Sequence, residues 1–142
     1  MIEEALFSLL SSDETIAALV ADRIEPEMTS EGSALPAITY SRLTGTPTFT
    51  LLGSTSGLQT DRFGFDCRAA TYLDSLTLFE LVRKRLDGFR GHAAGEQINW
   101  IQHDAGHNDF DGPVDGSGRG AFSAWIEFDV QYGVEVPIAV AG

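Results

Sequence analysis

Two histidines and several aspartates in the last third of the sequence are the residues best suited to metal chemistry. His103 and His107 stand four apart, and Asp109 and Asp111 follow closely. Imidazoles and carboxylates together bind zinc or manganese, so these residues could form the centre of a metal-dependent hydrolase. Histidines four apart share one side of a helix, but five glycines and one proline within residues 104–120 argue against a helix. We therefore expect residues 104–120 to form a long polar, solvated loop without a metal site.

No other chemical motif in the sequence is complete. The calcium-loop pattern fails because Pro113 follows Asp109 and Asp111 where an oxygen ligand is needed, and no glutamate closes the loop. No serine lies in a nucleophile elbow, and the glycine-rich pieces lack the strand and helix that frame a phosphate-binding turn. The single cysteine, Cys67, falls on the apolar side of a predicted strand, which indicates a buried and inert thiol. The sequence predicts no enzymatic activity and no cofactor.

The stretch from residue 58 to residue 88 predicts the elements around which the chain is organised. Apolar or small residues occupy the odd positions from 63 to 69 and charged residues most even ones from 62 to 68, which indicates a half-buried strand. Thr71 and Asp74 then form a capping-box pattern at the start of an amphipathic helix. Gly88 stands where a left-handed residue ends such a helix.

The remaining elements are predicted from the same kinds of signal. Apolar spacing indicates two short helices, or one kinked helix, within residues 1–22, with Ser11 and Glu14 as a second capping box. Strands are expected at residues 36–44, 97–103 and 122–132, with a short extended piece at Ile24. This order predicts a single α+β domain over residues 1–142, a mainly antiparallel sheet of about four strands with helices on one face, and a carboxyl tail at 133–142.

Residues 46–57 leave two interpretations open. The segment is rich in threonine, serine and glycine, yet it carries Phe49, Leu51 and Leu52. It either folds as a hairpin onto the core or presents these apolar side chains to a partner.

Charge excludes some classes of function. The net charge is −12, and the first 35 residues and residues 96–142 each hold eight acids and one base, whereas residues 36–95 hold five acids and seven bases. Such a surface repels nucleic acid, so specific DNA binding is not expected. No apolar run approaches the length of a membrane span, and the acidic amino terminus is unlike a signal peptide, so we expect a soluble protein made in the cytoplasm. The uneven charge fits either solvated surfaces or acidic ends that meet the basic middle of a neighbouring copy.

Several short motifs together resemble the tail-completion proteins of long-tailed bacteriophages, also called tail terminators, which occur in prophages and gene-transfer particles too. The resemblance covers roughly residues 5–132. Its motifs are Leu9-Leu10, Ile16 to Val20, Arg23-Ile24, Leu35 to Tyr40, Phe65 to Ala69, Thr71-Tyr72 and the helix end from Val82 to Leu86.

The resemblance implies a structural virion protein of the tail or neck, made in the bacterial host. Such a protein would form a ring of six copies on the head-proximal end of the tail tube, end tube polymerisation and join the tail to the head connector. DNA would pass through the ring without specific binding, along a channel lined by some of the excess carboxylates, and no membrane is involved. We expect contacts to other copies or to the tube from Phe49, Leu51, Leu52, His103, His107, Asp109, Phe110 and Asp111, and from the carboxyl tail. The alternatives are a hydrolase that uses His103, His107 and Asp109, and a monomeric module that binds a small ligand or peptide.

Overall fold

Two long neighbouring strands form the centre of the fold. The computed structural model describes residues 2–26, 35–49, 55–111 and 121–133. Strand β3 (Thr55–Ala69) pairs antiparallel with β6 (Ala121–Gly133). Phe65 lies opposite Ile126, and Phe63 opposite Phe128, and all four side chains are buried. The strict alternation of the sequence therefore places every second side chain of both strands in one apolar layer.

Four further strands extend this pair into a six-stranded sheet. They are β1 (Ile24–Pro26), β2 (Ala37–Phe49), β4 (Gly91–Ala93) and β5 (Glu96–Asp111). The strand order is β1-β2-β3-β6-β5-β4, and every pair is antiparallel except β1 with β2, which is parallel. The α+β class and the mainly antiparallel sheet are confirmed, but the expected four strands are six, because residues 24–26 and 91–93 each add a short edge strand.

Helix α3 (Tyr72–Leu86) forms as its local signals predict. The Thr71 hydroxyl accepts a hydrogen bond from the backbone N–H of Asp74 at 3.2 Å, and Gly88 follows the helix with a φ of +82°. Leu78, Val82 and Leu86 are fully buried against the sheet. The spacing of these residues by four gives the helix one continuous apolar stripe.

Two separate helices, α1 (Ile2–Ser11) and α2 (Glu14–Val20), complete the layer. The capping box predicted at Ser11 is wrong. Asp13 caps α2 instead, and its carboxylate accepts from the N–H groups of Thr15 and Ile16 at 3.0 and 3.1 Å. Asp13 is the cap, and Ser11 is not, because Asp13 directly precedes the helix and its side chain reaches two free N–H donors at once.

The three helices contact one another and share a single apolar cluster with one face of the sheet. Arg85 of α3 fastens this layer, since its Nε donates to the carbonyl of Leu9 at 2.6 Å and its terminal nitrogen to the hydroxyl of Ser12 at 3.0 Å. None of the helices in the described ranges is long and apolar enough to cross a membrane.

The long polar loop predicted at residues 104–120 is wrong in its first half. Residues 104–111 continue β5, and they pair with β6 from His103 opposite Phe128 to Asp111 opposite Ala121. The ladder to a complete neighbouring strand supplies the hydrogen bonds that the glycines and aspartates do not favour on their own. The expectations for residues 112–120 and for the tail beyond Gly133 fall outside the described residues.

Candidate functional site

The sheet face that points away from the helices is polar and half-buried, and we call it the open face. Antiparallel sheets commonly keep one such face in contact with water. On the two central strands it comprises Thr60, Arg62, Gly64, Asp66 and Arg68 of β3, and Ser123, Trp125, Glu127, Asp129 and Gln131 of β6.

Arg62 lies at the centre of a cluster of carboxylates on the open face. Its guanidinium donates to Asp129 at 3.0 Å, lies 2.8 Å from Asp104 of β5 and 3.8 Å from Glu127. The hydrogen bond to Asp129 raises the pKa of Arg62 further above its ordinary value. Three carboxylates surround one cation, so this part of the face carries net negative charge and the arginine is already engaged.

A second polar group lies further along the same face. The hydroxyl of Ser123 donates to Asp66, and Arg68 lies 3.4 Å from the same carboxylate. Trp125 lies between the two groups and lies flat against Gly64, where a Cβ atom would come within 2.0 Å of the indole ring. Glycine is therefore required at position 64 for this packing.

A buried carboxylate interrupts the apolar face near the other end of β3. Asp61 has no exposed surface, and it accepts hydrogen bonds from the hydroxyl of Tyr132 at 2.6 Å, from the amide of Gln59 at 2.8 Å and from Arg42. Burial, and then the hydrogen bond to Asp61, raise the pKa of the Tyr132 hydroxyl well above its ordinary value. Gly45 lies opposite Asp61 in the ladder, and a Cβ atom there would lie 2.6 Å from the carboxylate.

The histidines and aspartates proposed for metal chemistry do not share one side of the sheet. His103 lies opposite Phe128 on the helix side, with its ring 5.8 Å from that of Phe128 and 6.3 Å from that of Phe79. A bulge between His103 and Ala105 shifts the register, so the backbone of His107 lies opposite Trp125 of the open face. No group of three or more potential metal ligands occurs among the described residues.

The other predicted contact residues lie at two ends of the sheet. Phe49 ends β2 opposite Thr55, and Leu51 and Leu52 fall outside the described residues. In β5 the backbone positions of Asp109, Phe110 and Asp111 pair with those of Ser123, Phe122 and Ala121. Strands β2 and β3 pair antiparallel up to Phe49 opposite Thr55, and the choice between packing onto the core and contact with a partner falls outside the described residues.

Sequence reasoning missed both ionic clusters. The position of Asp61 is a recoverable signal, because a charged residue there breaks the apolar alternation that continues from Phe63 to Ala69. The partners of Arg62 could not be recovered, since they come from β5 and β6 and depend on the register. An open groove of about 670 Å³ beside β4, lined by Arg90, His92 and Trp100 among others, was also not foreseen.

Comparison with known proteins adds one observation about the fold. No family model matches the chain, and no curated protein does. A solved chain from a structure described as the virion of a native gene transfer agent (GTA) particle matches with a TM-score of 0.70 over 91% of this chain and 92% of that chain, at 11% sequence identity. The two chains therefore share the same fold over about nine tenths of their lengths.

Proposed function

We propose that this chain is a structural protein of a phage-like particle that caps the head-proximal end of the tail tube as a ring of six copies, as tail terminators do. The observation that carries the proposal is the likeness to a virion chain over more than nine tenths of both molecules. The partners would be further copies of the chain, the tube protein and a head connector protein.

The open face supports the proposal because it suits a channel for DNA. It carries Asp66, Glu127 and Asp129, together with Asp104 of β5, against Arg62 and Arg68. Binding of DNA depends on cations that are free to neutralise phosphates, and Arg62 is held by three carboxylates. A ring that turned this face inward would let a polyanion slide without sticking.

The proposed contact residues follow from the placement of the elements. Phe49 ends β2, Leu51 and Leu52 follow it in the sequence before β3 begins, and His107, Asp109, Phe110 and Asp111 belong to the last third of β5. His103 is the remaining proposed contact residue, and its ring lies beside those of Phe79 and Phe128 on the helix side of β5.

Replacing Leu51 and Leu52 together by serine tests the hairpin contact. We expect normal folding and loss of ring assembly, measured by circular dichroism and by negative-stain electron microscopy. The matched control is Leu73→Ser, because Leu73 is 72% exposed on α3, away from the hairpin. Unfolding of the double variant would instead show that these leucines fill the core.

The function itself is tested in particles. Deleting the gene from the producing cell should give tails of uncontrolled length that lack heads, and antibody labelling of complemented particles should mark the neck. Tails of normal length joined to heads in the deletion strain, or labelling elsewhere on the particle, would overturn the proposal.

The groove beside β4 favours one alternative, a monomeric module that binds a small ligand. Its lining offers the donors of Arg90, His92 and Trp100 and contains no carboxylate. Light scattering separates the two functions, since a binding module stays monomeric under the solution conditions in which a tail terminator forms rings. The hydrolase alternative loses its basis, because the register separates His103 from His107.

A further inference from the structure

Two strands of the sheet have long edges without a neighbour among the described residues. On one side β1 covers only residues 38–40 of β2, which leaves residues 41–49 with a partner on one side only. On the other side β4 covers only residues 96–98 of β5. The next part of β5 is hydrogen-bonded to residues 87–89, since the N–H of His103 donates to the carboxylate of Asp87 and the backbone of Ile101 bonds to Gly88 and Phe89. Residues 104–111 of β5 therefore have a strand partner on one side only among the described residues. We call these two runs the β2 edge and the β5 edge.

The directions of the strands make the two edges compatible. The four long strands alternate in direction across the sheet in the order β2, β3, β6 and β5, so β5 runs antiparallel to β2. When a second copy is placed beside the first in the same orientation, its β2 edge meets the β5 edge of the first copy in antiparallel sense. An even number of alternating strands gives this result at every seam of a ring.

The two edges also match in length and in charge. The β2 edge has nine residues and the β5 edge eight. The β2 edge contains no acid and one base, Arg42, which also pairs with Asp61 within its own chain. The β5 edge contains neither lysine nor arginine and three acids, of which Asp104 pairs with Arg62 and Asp109 and Asp111 end the strand. Unpaired edges attract strands, and opposite charge selects which strand is accepted.

We propose that the β2 edge of one copy pairs with the β5 edge of the next copy, head to tail, and that this ladder is the seam of the ring. The inference rests on the proposed function and names the surface by which its copies meet. The β2 edge and the β5 edge are different surfaces of each copy, as the head-to-tail contacts of a closed ring with cyclic symmetry require. Strand addition of this kind supplies main-chain hydrogen bonds along the edge, except from Pro47, which has no N–H to donate.

The geometry of the seam is consistent with closure. Asp109 of β5 pairs with Ser123, Ser123 with Arg68, and Arg68 with Ala37 of β2, so Asp109 and Ala37 lie at the same height in the sheet. The β5 edge therefore lies at the height of the first residues of β2, whereas the β2 edge lies toward the end of that strand. To align its β2 edge with the β5 edge of its neighbour, each copy must shift along the strand direction by about six residues, or roughly 20 Å. Four strands are about 19 Å wide, so the strands incline by about 45° to the ring axis, which is at the upper end of the range for closed barrels.

Cysteine cross-linking tests the seam in purified particles and in recombinant rings. The seam variant carries Thr44→Cys and His107→Cys, which lie near the middle of the two edges at positions opposite residues of the open face, and a short bifunctional thiol reagent tolerates a slip of one or two residues. We expect covalent multimers up to the size of the ring from the double variant and monomers from each single variant. The native Cys67 is fully buried and stays unreacted.

Two further variants distinguish other arrangements. Thr48→Cys with His92→Cys reports a seam between β4 and β2 without the shift, because the ladders place Gly91, the neighbour of His92, level with Pro47. Dimers from Thr44→Cys alone report a twofold contact, and either result overturns the seam. Rings in the micrographs without multimers from the Thr44 and His107 pair also overturn it and leave the proposed function standing. Absence of the chain from the neck overturns the function instead.

Charge reversal provides an independent measure. Asp109→Lys with Asp111→Lys places like charges across the seam and should raise the concentration needed for half-maximal assembly by about tenfold or more. Glu14→Lys with Asp22→Lys changes the net charge equally on exposed residues of the helix layer and should leave assembly unchanged. Equal effects of the two pairs would contradict the seam.

Discussion

Removal of the buried carboxylate of Asp61 should destabilise the fold more than removal of any carboxylate on the open face. The residue has no exposed surface and accepts hydrogen bonds from Tyr132, Gln59 and Arg42. Asp61→Ala takes away the acceptor and leaves the three donors in place. The largest cost falls on Tyr132, which is 6% exposed and cannot turn its hydroxyl to water without moving the end of β6.

The expected size follows from these contacts. A buried donor that loses its partner costs about 1–3 kcal/mol, and the loss of the half-buried Gln59 contact adds about 1 kcal/mol. The side chain of Arg42 is 42% exposed and can turn to solvent, so it contributes little. The substitution also removes the cost of burying the Asp61 carboxylate, which offsets part of the total destabilisation. We expect the free energy of unfolding to fall by about 3 kcal/mol, and the melting temperature by about 10 °C.

Urea denaturation followed by tryptophan fluorescence at neutral pH measures this change. Asp129→Ala is the matched control, because Asp129 pairs with Arg62 on the half-exposed open face and should cost about 1 kcal/mol or less. A double-mutant cycle between Asp61→Ala and Tyr132→Phe should give a coupling of at least 1 kcal/mol. The reasoning is refuted if Asp61→Ala unfolds within about 0.5 kcal/mol of the parent, or if the cycle shows no coupling.

Three further predictions concern single positions. Thr71→Ala removes the cap from the N–H of Asp74 and should cost about 1 kcal/mol in urea denaturation, while Thr71→Ser should restore most of it; equal values would contradict the capping role. Gly64→Ala cannot coexist with the present indole position, so it should shift the emission of Trp125 and cost about 1–3 kcal/mol; an unchanged spectrum and stability would mean that the ring moves freely. The folded protein keeps the Tyr132 proton that the unfolded chain releases near pH 10, so stability should fall as the pH rises above about 10, and it should fall less in Tyr132→Phe; parallel pH profiles would argue against this.

Elements with local signals could be predicted from the sequence. Helix α3 has its cap, its apolar stripe and its terminal glycine within 18 residues, and β6 has unbroken alternation, so both formed where expected. The end of β5 could not be predicted, because Asp104 to Asp111 shows no alternation of its own. Its strand conformation depends on β6, a partner that comes later in the chain.

The candidate site was predicted less well than the fold, for the same physical reason. Grouping His103 with His107 assumed that residues four apart keep the same relation throughout the segment. The side of the sheet on which each histidine lies depends on the position of the bulge in β5, and the sequence contains no sign of that bulge. Arg62 and Asp129 are likewise brought together by register alone.

The irregularity between His103 and Ala105 has a consequence for how this part of the gene tolerates change. Between Trp100 and His103 the odd-numbered positions of β5 face the helices, and from Ala105 onward the even-numbered ones do, as Ile101 opposite Val130 and Gly106 opposite Ile126 show. Asp104 is the extra residue, so loss of its codon would leave the residues from Ala105 to Asp111 opposite their present partners, whereas loss of any codon after it would exchange inner and outer positions. A deletion scan should therefore find the Asp104 codon the best tolerated of this stretch, with the ion pair to Arg62 as the contact that is lost.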